Sequence, residues 1–294
     1  MKQKVAFIGV GTMGRIMLER AMGAGYSAVV VDPSPAATDA AGQAGAEGVR
    51  SPREAAERAK WIVMSLPAPR QVQEVLHGED GLLQSLSDGH IVVDTSTVDP
   101  STSEKAAEAC RFRGAFYLDA PVLGRPASVG KWVLPVGGDG QALDRITPLL
   151  ETFAARVVHV GASGSGHAFK LLNQLMFSAI NGITAEVFAV ADKVGISRQK
   201  FYEVISSSGA ATVSGLFLEC GRKIVEGDYQ PVFSVDLLCK DAGLGLDMAT
   251  GAGAPPIIST AVQMCNRLAQ AQGMGSLDTS ALARVFGGLY ARRD

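Results

Sequence analysis

A short β-rich run, Lys4-Val-Ala-Phe-Ile8, leads straight into Gly9-Val-Gly11-Thr12-Met13-Gly14 and then into a helical pattern over Arg15 to Met22. Strand, glycine turn and helix in that order open a doubly wound α/β fold. The first glycine permits the tight turn, the second lets the backbone approach a pyrophosphate, and the third lets helix and strand pack closely. The helix N-terminus adds an attraction for phosphate charge. The second strand, Ala28-Val-Val-Val-Asp32, is followed by Pro33. Asp32 falls about 20 residues past the first glycines, where a carboxylate accepts hydrogen bonds from the hydroxyls of an adenosine ribose. No arginine follows it closely. A free aspartate at that point repels a 2′-phosphate, so NAD is favoured and NADP is the weaker candidate.

The alternation continues through Trp61-Ile-Val-Met-Ser-Leu66, Ile91-Val-Val-Asp94 and Ala115-Phe-Tyr-Leu-Asp119, with helical segments between them. Ligands of such sheets sit beyond the carboxyl ends of the strands. The loops Leu66-Pro67-Ala68, Asp94-Thr-Ser96-Thr97 and Asp119-Ala-Pro-Val-Leu123-Gly124-Arg125-Pro126 are therefore the ones that matter. Ser96 and Thr97 fit two roles, a hydrogen bond to ribose or substrate or a cap for the helix that starts near Pro100. Val133-Leu-Pro-Val-Gly-Gly138 and Val157-Val-His-Val160 read as the last two strands, and Pro135 predicts that the former lies at a sheet edge.

From Gly161-Ala-Ser-Gly-Ser-Gly-His-Ala-Phe-Lys170-Leu-Leu-Asn173 onward the pattern changes. Phe169, Leu172, Met176, Ala179, Ile183, Val187 and Val190 recur at steps of three or four, which predicts one long helix. Gly195 reads as its stop and Ser197 as the cap of the next helix. Only helical patterns follow, near 201–205, 216–225, 235–248 and 257–268, with Gly251-Ala-Gly-Ala-Pro-Pro256 as a loop between the last two. The expected organisation is a Rossmann-like domain over 1–162 and an all-helical domain over 163–294, the latter including the joining helix and packing on the first half and on a partner subunit. Lys170 and Asn173, three residues apart, project from one side of the first turns, where an ammonium and an amide can address one substrate oxygen.

Hydrophobic residues make up 47% of the 294-residue chain and charged residues 19%, with a formal net charge of -2. That is the composition of a globular protein with no basic field for nucleic acid. Cys110, Cys220, Cys239 and Cys265 form no C-x-x-C pair, so reduced thiols and no metal are expected. His77, His90 and His159 lack metal-ligand spacing. The apolar run near the N-terminus is too short and glycine-broken for an export signal. Asn173, Gln174, Asn181, Glu186 and Asp192 interrupt the long helix, so no bilayer span is expected. The expected location is the cytoplasm.

The set Gly9-x-Gly11-x-Met13-Gly14, Asp94-x-Ser96-Thr97, Asp119-Ala-Pro-Val, Gly161-x-x-Gly164-x-Gly166-x-x-x-Lys170-x-x-Asn173 and Lys240-Asp-x-x-Leu244 resembles the β-hydroxyacid dehydrogenases over nearly the whole chain. The resemblance implies a Rossmann-like domain joined by a long helix to an all-helical domain, in a homodimer or homotetramer. It implies Lys170 as the catalytic lysine, Asn173 beside it as a substrate ligand, and Lys240 as the lysine that closes over the nicotinamide end. Leu66, Pro67 and Thr97 match cofactor contacts, alongside Gly9, Gly11, Thr12, Met13, Gly14 and Asp32. Ser96, Leu123, Gly124 and Arg125 match the substrate side.

The family loop usually reads Asp-x-Pro-Val-Ser-Gly-Gly, and here Leu123-Gly124-Arg125-Pro126 replaces its hydroxyl donor, while Gly130-Lys-Trp132 replaces a common Gly-Thr-Leu. Arg125 can instead fork onto a carboxylate, sulfonate or phosphate, or be an exposed loop arginine. The family's paired asparagines become Asn173-Gln174, a change of small consequence if Gln174 points away from the site. The implied reaction is hydride transfer between NAD(H) and a small acidic alcohol or its semialdehyde. Lys170 moves the proton, helped by desolvation and by Lys240. His167 is a rival acid-base group, although a histidine at a helix start is more often a cap or a surface residue. Asp241 either meets Lys170 or serves structure. An imine reductase shares this architecture but usually lacks the lysine at position 170; a nucleotide-binding scaffold without activity is the remaining alternative.

Overall fold

In strand β1 (Lys4–Ile8), Val5 and Phe7 pack into one apolar cluster while Ala6 and Ile8 pack into another, so both faces of the strand are covered. The same alternation holds in β2 (Ser27–Val31), β4 (Trp61–Met64) and β5 (Ile91–Asp94). Strands buried on both faces read as continuous apolar runs, because a parallel sheet carries helices on each side. The computed structural model describes residues 3–290. It divides into two compact units, Met1–Lys170 and Leu171–Asp294.

In the first unit, α1 (Thr12–Gly23), α2 (Pro35–Gln43), the two-residue β3 (Glu47–Gly48), α3 (Pro52–Arg58), α4 (Pro69–His77) and α5 (Pro100–Phe112) separate those strands. Then follow β6 (Phe116–Asp119), β7 (Trp132–Gly137), α6 (Gly140–Leu150) and β8 (Ala154–Gly161). The eight-stranded sheet has the order β3-β2-β1-β4-β5-β6-β7-β8. Strands β1 to β6 run parallel, and β7 turns antiparallel to β6. Register places Val31, Ile8, Met64, Asp94 and Asp119 in one row across the sheet. The loops that leave this row open at the same end, and the strand order reverses between β1 and β4, where doubly wound folds bind their ligands.

Strand β7 is interior rather than at an edge, contrary to what Pro135 predicts; β8 is the edge. Val133, two residues earlier and so of the same orientation, exchanges both backbone bonds with Leu123. Pro135 therefore turns its missing N–H away from β8. On that side β6 pairs with β7 only at Asp119 and Gly137, so no ladder bond is lost.

Helix α7 (Ser165–Lys193) begins in the first unit and runs into the second. Gly195 takes a positive φ after it, and the Ser197 hydroxyl accepts from Lys200 N at the start of α8 (Arg198–Ser206). The serines Ser214 and Ser234 cap α9 (Gly215–Glu226) and α10 (Val235–Gly251) in the same way. Two further helices, α11 (Ile257–Ala271) and α12 (Leu282–Tyr290), complete the unit. Ala185, Phe188, Phe217, Ile224, Val235 and Phe286 form its core.

The apolar stripe that marks α7 in the sequence is not its buried face. Leu172, Met176 and Ile183 are 54%, 62% and 54% exposed, while Leu171, Gln174, Leu175, Ser178, Asn181 and Phe188 are buried. The buried polar groups are satisfied: Asn181 donates to Thr279 O at 2.8 Å and Asn266 donates to Ser178 Oγ at 2.9 Å. By length and hydropathy alone α7 could cross a membrane, but half of that window is buried inside the protein, as in a core helix. All four cysteines are thiols, and burial pushes Cys110 up to about 12 and Cys239 up to about 11. Such high values leave Cys110 and Cys239 poor nucleophiles at neutral pH.

Candidate active site

The glycine turn is built for close approach. Gly9 has φ +84°, and a Cβ on it would lie 2.3 Å from Ser65 O. A Cβ on Gly14 would lie 2.0 Å from Gly9 O, so only hydrogen lets α1 pack against the turn. Gly11 differs: apart from its own chain neighbours, nothing lies within 4 Å of where its Cβ would be. It is also the N-cap of α1 and supplies no capping side chain. Open space over an uncapped helix N-terminus fits a pyrophosphate. Thr12 is exposed beside it, and Met13 packs half-buried against the core. Asp32 stands just beyond β2, with Oδ2 accepting from Val10 N and Oδ1 from Ser34 N, both at 2.8 Å. Each carboxylate oxygen retains a lone pair for a ribose hydroxyl. These residues fit a dinucleotide.

Across the strand reversal, Leu66 is half-buried and Pro67 is exposed. Leu66 N donates to the buried Ser96 hydroxyl at 2.9 Å, and Ser96 N donates to Asp94 Oδ1. The other Asp94 oxygen accepts from Tyr117 OH at 2.6 Å, and burial, followed by Asp94, pushes the Tyr117 phenol well above its ordinary value. Neither Ser96 nor Thr97 caps α5. That task falls to Asp99, which accepts from Thr102 N at 2.9 Å. Thr97 remains half-buried at the loop.

Beyond β6, the Asp119 carboxylate reaches the start of α7, accepting from Gly164 N at 2.8 Å and His167 N at 3.0 Å. Burial pushes the Asp119 carboxyl up, opposed by His167 and by those backbone donors. A carboxylate at a helix N-terminus satisfies free N–H groups and meets the dipole. A Cβ on Gly166 would lie 2.3 Å from Asp119 O, so the helix begins in contact with the strand end. Lys170 then projects to Val122 O, donating at 2.9 Å from Nζ. The expected cap or surface histidine, His167, is instead fully buried with both ring nitrogens bonded.

The departures at 123–126 and at 132 are one feature. A Cβ on Gly124 would meet the Trp132 ring at 2.1 Å, so glycine lets the loop lie on the indole. Trp132 is fully buried, and its Nε1 donates to Arg125 O at 2.7 Å. Ser128 Oγ donates to Arg125 O at 3.0 Å and accepts from Arg125 N at 3.1 Å. Leu123 is held to Val133 by the backbone. The half-buried Arg125 thus has a fixed main chain and a long side chain.

In the second unit, Asn173 Nδ2 donates to Gln174 Oε1 at 3.3 Å, and Gln174 Nε2 donates to Asp241 Oδ2 at 2.6 Å. Asp241 Oδ1 lies 2.8 Å from Lys240 Nζ. Asn173, Gln174, Asp241 and Lys240 therefore form one chain of contacts, and Gln174 is the buried link between α7 and α10. The linking roles of Asp119, Trp132 and Gln174 escape a linear reading; the only local signal was that Gly124 and Trp132 depart from the family loop together.

Comparison with known proteins places the chain in a family. The sequence family described as the NAD binding domain of 6-phosphogluconate dehydrogenase matches residues 4–161. That described as NAD-binding of NADP-dependent 3-hydroxyisobutyrate dehydrogenase matches 164–286. The chain is 31% identical to 3-sulfolactaldehyde reductase of Escherichia coli, over 98% of each chain. The solved structure of a 3-hydroxyisobutyrate dehydrogenase from Salmonella typhimurium is similar with a TM-score of 0.88 and 28% identity, covering 97% of this chain and 100% of that one. An imine reductase from a Pseudomonas species is more distant, with a TM-score of 0.63 and 25% identity over 97% and 99% of the two chains. The chain belongs to the β-hydroxyacid dehydrogenase family, NAD(P)-dependent oxidoreductases that act on CH–OH groups.

Proposed function

We propose that the protein interconverts a short β-hydroxy acid and its semialdehyde, with NAD(H) as hydride carrier and Lys170 as general acid/base. The observation that carries this reading is the common row of strand ends. It sets the glycine turn, the Leu66 and Ser96 loops, and the Asp119-anchored start of α7 at one end of one sheet. Bound NAD(H) supplies or takes the hydride at nicotinamide C4. Gly9, Gly11, Thr12, Met13 and Gly14 would hold the pyrophosphate, Asp32 the adenosine ribose, and Leu66, Pro67 and Thr97 the stretch toward the nicotinamide. Lys240 would close over the nicotinamide end.

In the reducing direction the Lys170 ammonium hydrogen-bonds the carbonyl oxygen and gives it a proton as the alkoxide forms; in the oxidising direction the neutral amine takes that proton. Asn173, one turn further along α7, would orient the oxygen or the acid group. Ser96, Leu123, Gly124 and Arg125 would form the acid-binding side, with the Arg125 guanidinium in place of the missing serine hydroxyl. Residues 1–162 would serve as the cofactor domain and 163–294 as the substrate and oligomerisation domain. The exposed stripe of α7 adjoins an apolar groove of about 620 Å³ lined by Ile180, Ile183, Val187, Val190, Phe201 and Phe217, which supports a homodimer or homotetramer. The thiol state of the cysteines supports a reducing compartment, the cytoplasm.

The test is NADH or NADPH oxidation against succinic, methylmalonic and tartronic semialdehydes, glyoxylate, sulfolactaldehyde and a cyclic imine. NADH-dependent turnover of an acid-bearing aldehyde is the expected result, and turnover of the imine alone would overturn the reading. With that substrate, Arg125→Ala raises KM by roughly 10- to 100-fold, the loss of one charge-assisted contact worth about 1.5–3 kcal/mol, with a smaller change in kcat. Unchanged kinetics would make Arg125 an ordinary loop residue.

A further inference from the structure

We propose that His167 is a positioning residue that ties the cofactor-side loops to the helix carrying Lys170. The proposal rests on the reading of Lys170 as the acid/base. The imidazole has no exposed surface, although it sits in the first turn of a helix. A buried polar ring is unfavourable unless its nitrogens are paired, so the pairing is where its role lies. Nε2 lies 3.0 Å from Ser96 O. A carbonyl only accepts, so Nε2 carries the proton, and in the neutral ring Nδ1 accepts from the Ser103 hydroxyl at 2.6 Å.

The partners connect different parts of the site. Ser96 accepts from Leu66 N through its hydroxyl and from His167 through its carbonyl, so one residue joins the loop after β4 to the ring. Ser103 lies on α5, and the backbone N of His167 donates to Asp119 at the end of β6. The ring thus ties the loop after β5 to helix α5, with the loop after β4 one hydrogen bond further on through Ser96, while the end of β6 holds the backbone N of the same residue, three residues before Lys170 on the same helix. Residues three apart share a helix face, so a rotation or shift of the turn at His167 moves Lys170 with it. A displacement of about 1 Å of a reacting group costs on the order of 100-fold in rate. Glutamine offers an N–H donor and an oxygen acceptor at comparable reach; leucine fills similar space and offers neither.

His167→Leu, His167→Gln, Ser103→Ala and Lys170→Ala are compared by steady-state kinetics and by NADH fluorescence titration on the full chain. His167→Leu lowers kcat between about 10- and 100-fold, with KM and NADH affinity within a factor of about three, and His167→Gln recovers most of the loss. A leucine variant that binds NADH normally and keeps its kcat overturns the proposal. So does a glutamine variant no better than leucine, because the ring would then contribute volume alone. If the leucine variant does not fold, Ser103→Ala decides: reduced kcat supports the brace and unchanged kcat overturns it. Lys170→Ala separates the two claims. Retained turnover in that variant would remove the acid/base reading itself, whereas an inactive Lys170→Ala beside a fully active His167→Leu would remove only the brace.

Discussion

Lys170→Ala lowers kcat by about 10²- to 10⁴-fold, the range of a general acid/base group, while the dissociation constant for NADH changes by no more than a factor of about three. The separation follows from where the groups stand. Lys170 Nζ bonds Val122 O in the loop after β6, whereas the glycine turn and Asp32 follow β1 and β2. Alanine leaves the Val122 carbonyl without its donor, a local cost of about 1 kcal/mol. A parallel Lys170→Met variant restores the apolar stem without the charge, and thermal unfolding of both separates instability from lost chemistry. Primary amines added to Lys170→Ala should restore part of the turnover. Loss of NADH binding together with turnover would place the lysine on the cofactor instead.

Gly14→Ala weakens NADH binding and destabilises the first unit together. Its Cβ would lie 2.0 Å from Gly9 O and 3.3 Å from the Ser65 Cβ, and none of these can yield without moving α1 off the turn. Overpacking of this kind costs about 1–3 kcal/mol, which as binding energy is a rise of roughly 5- to 150-fold in dissociation constant. Gly11→Ala is the informative contrast. Its Cβ meets open space, so the melting temperature stays near that of the parent chain, yet a methyl group would stand where the pyrophosphate must approach. Calorimetry and NADH titration on both variants test the assignment. Unweakened binding in Gly11→Ala would mean that the pyrophosphate does not pass over this turn.

The strands of the first unit were legible because both of their faces are buried, which leaves uninterrupted apolar runs such as Val5 to Ile8 and Ile91 to Val93. The two-residue β3 left no such run, since Glu47 and Gly48 are both exposed. Pro135 misled because its rule concerns a missing donor, and whether that donor is needed depends on the neighbouring strand. Beside it, β6 pairs at a single position. The roles of Ser96 and Thr97 stayed open for a similar reason: capping is local, but Asp99 lies close enough to take it.

Sequence alone determined what periodicity and backbone sterics dictate. It placed the parallel strands, the glycine turn where a Cβ cannot fit, the long helix, and Lys170 with Asn173 on adjoining turns, because these depend on neighbours a few residues away. Only tertiary structure decided the contacts between distant segments. It buried His167 against Ser96 and Ser103, brought Asp119 onto the first N–H groups of α7, and set Gly124 on Trp132. It also decided which face of α7 is buried: the apolar stripe stands exposed, and the buried side carries Gln174, Ser178 and Asn181. The physical reason is that a helix interior accepts polar groups once partners such as Asp241, Asn266 and Thr279 pair them. Those partners lie more than sixty residues away along the chain, where no periodicity reaches.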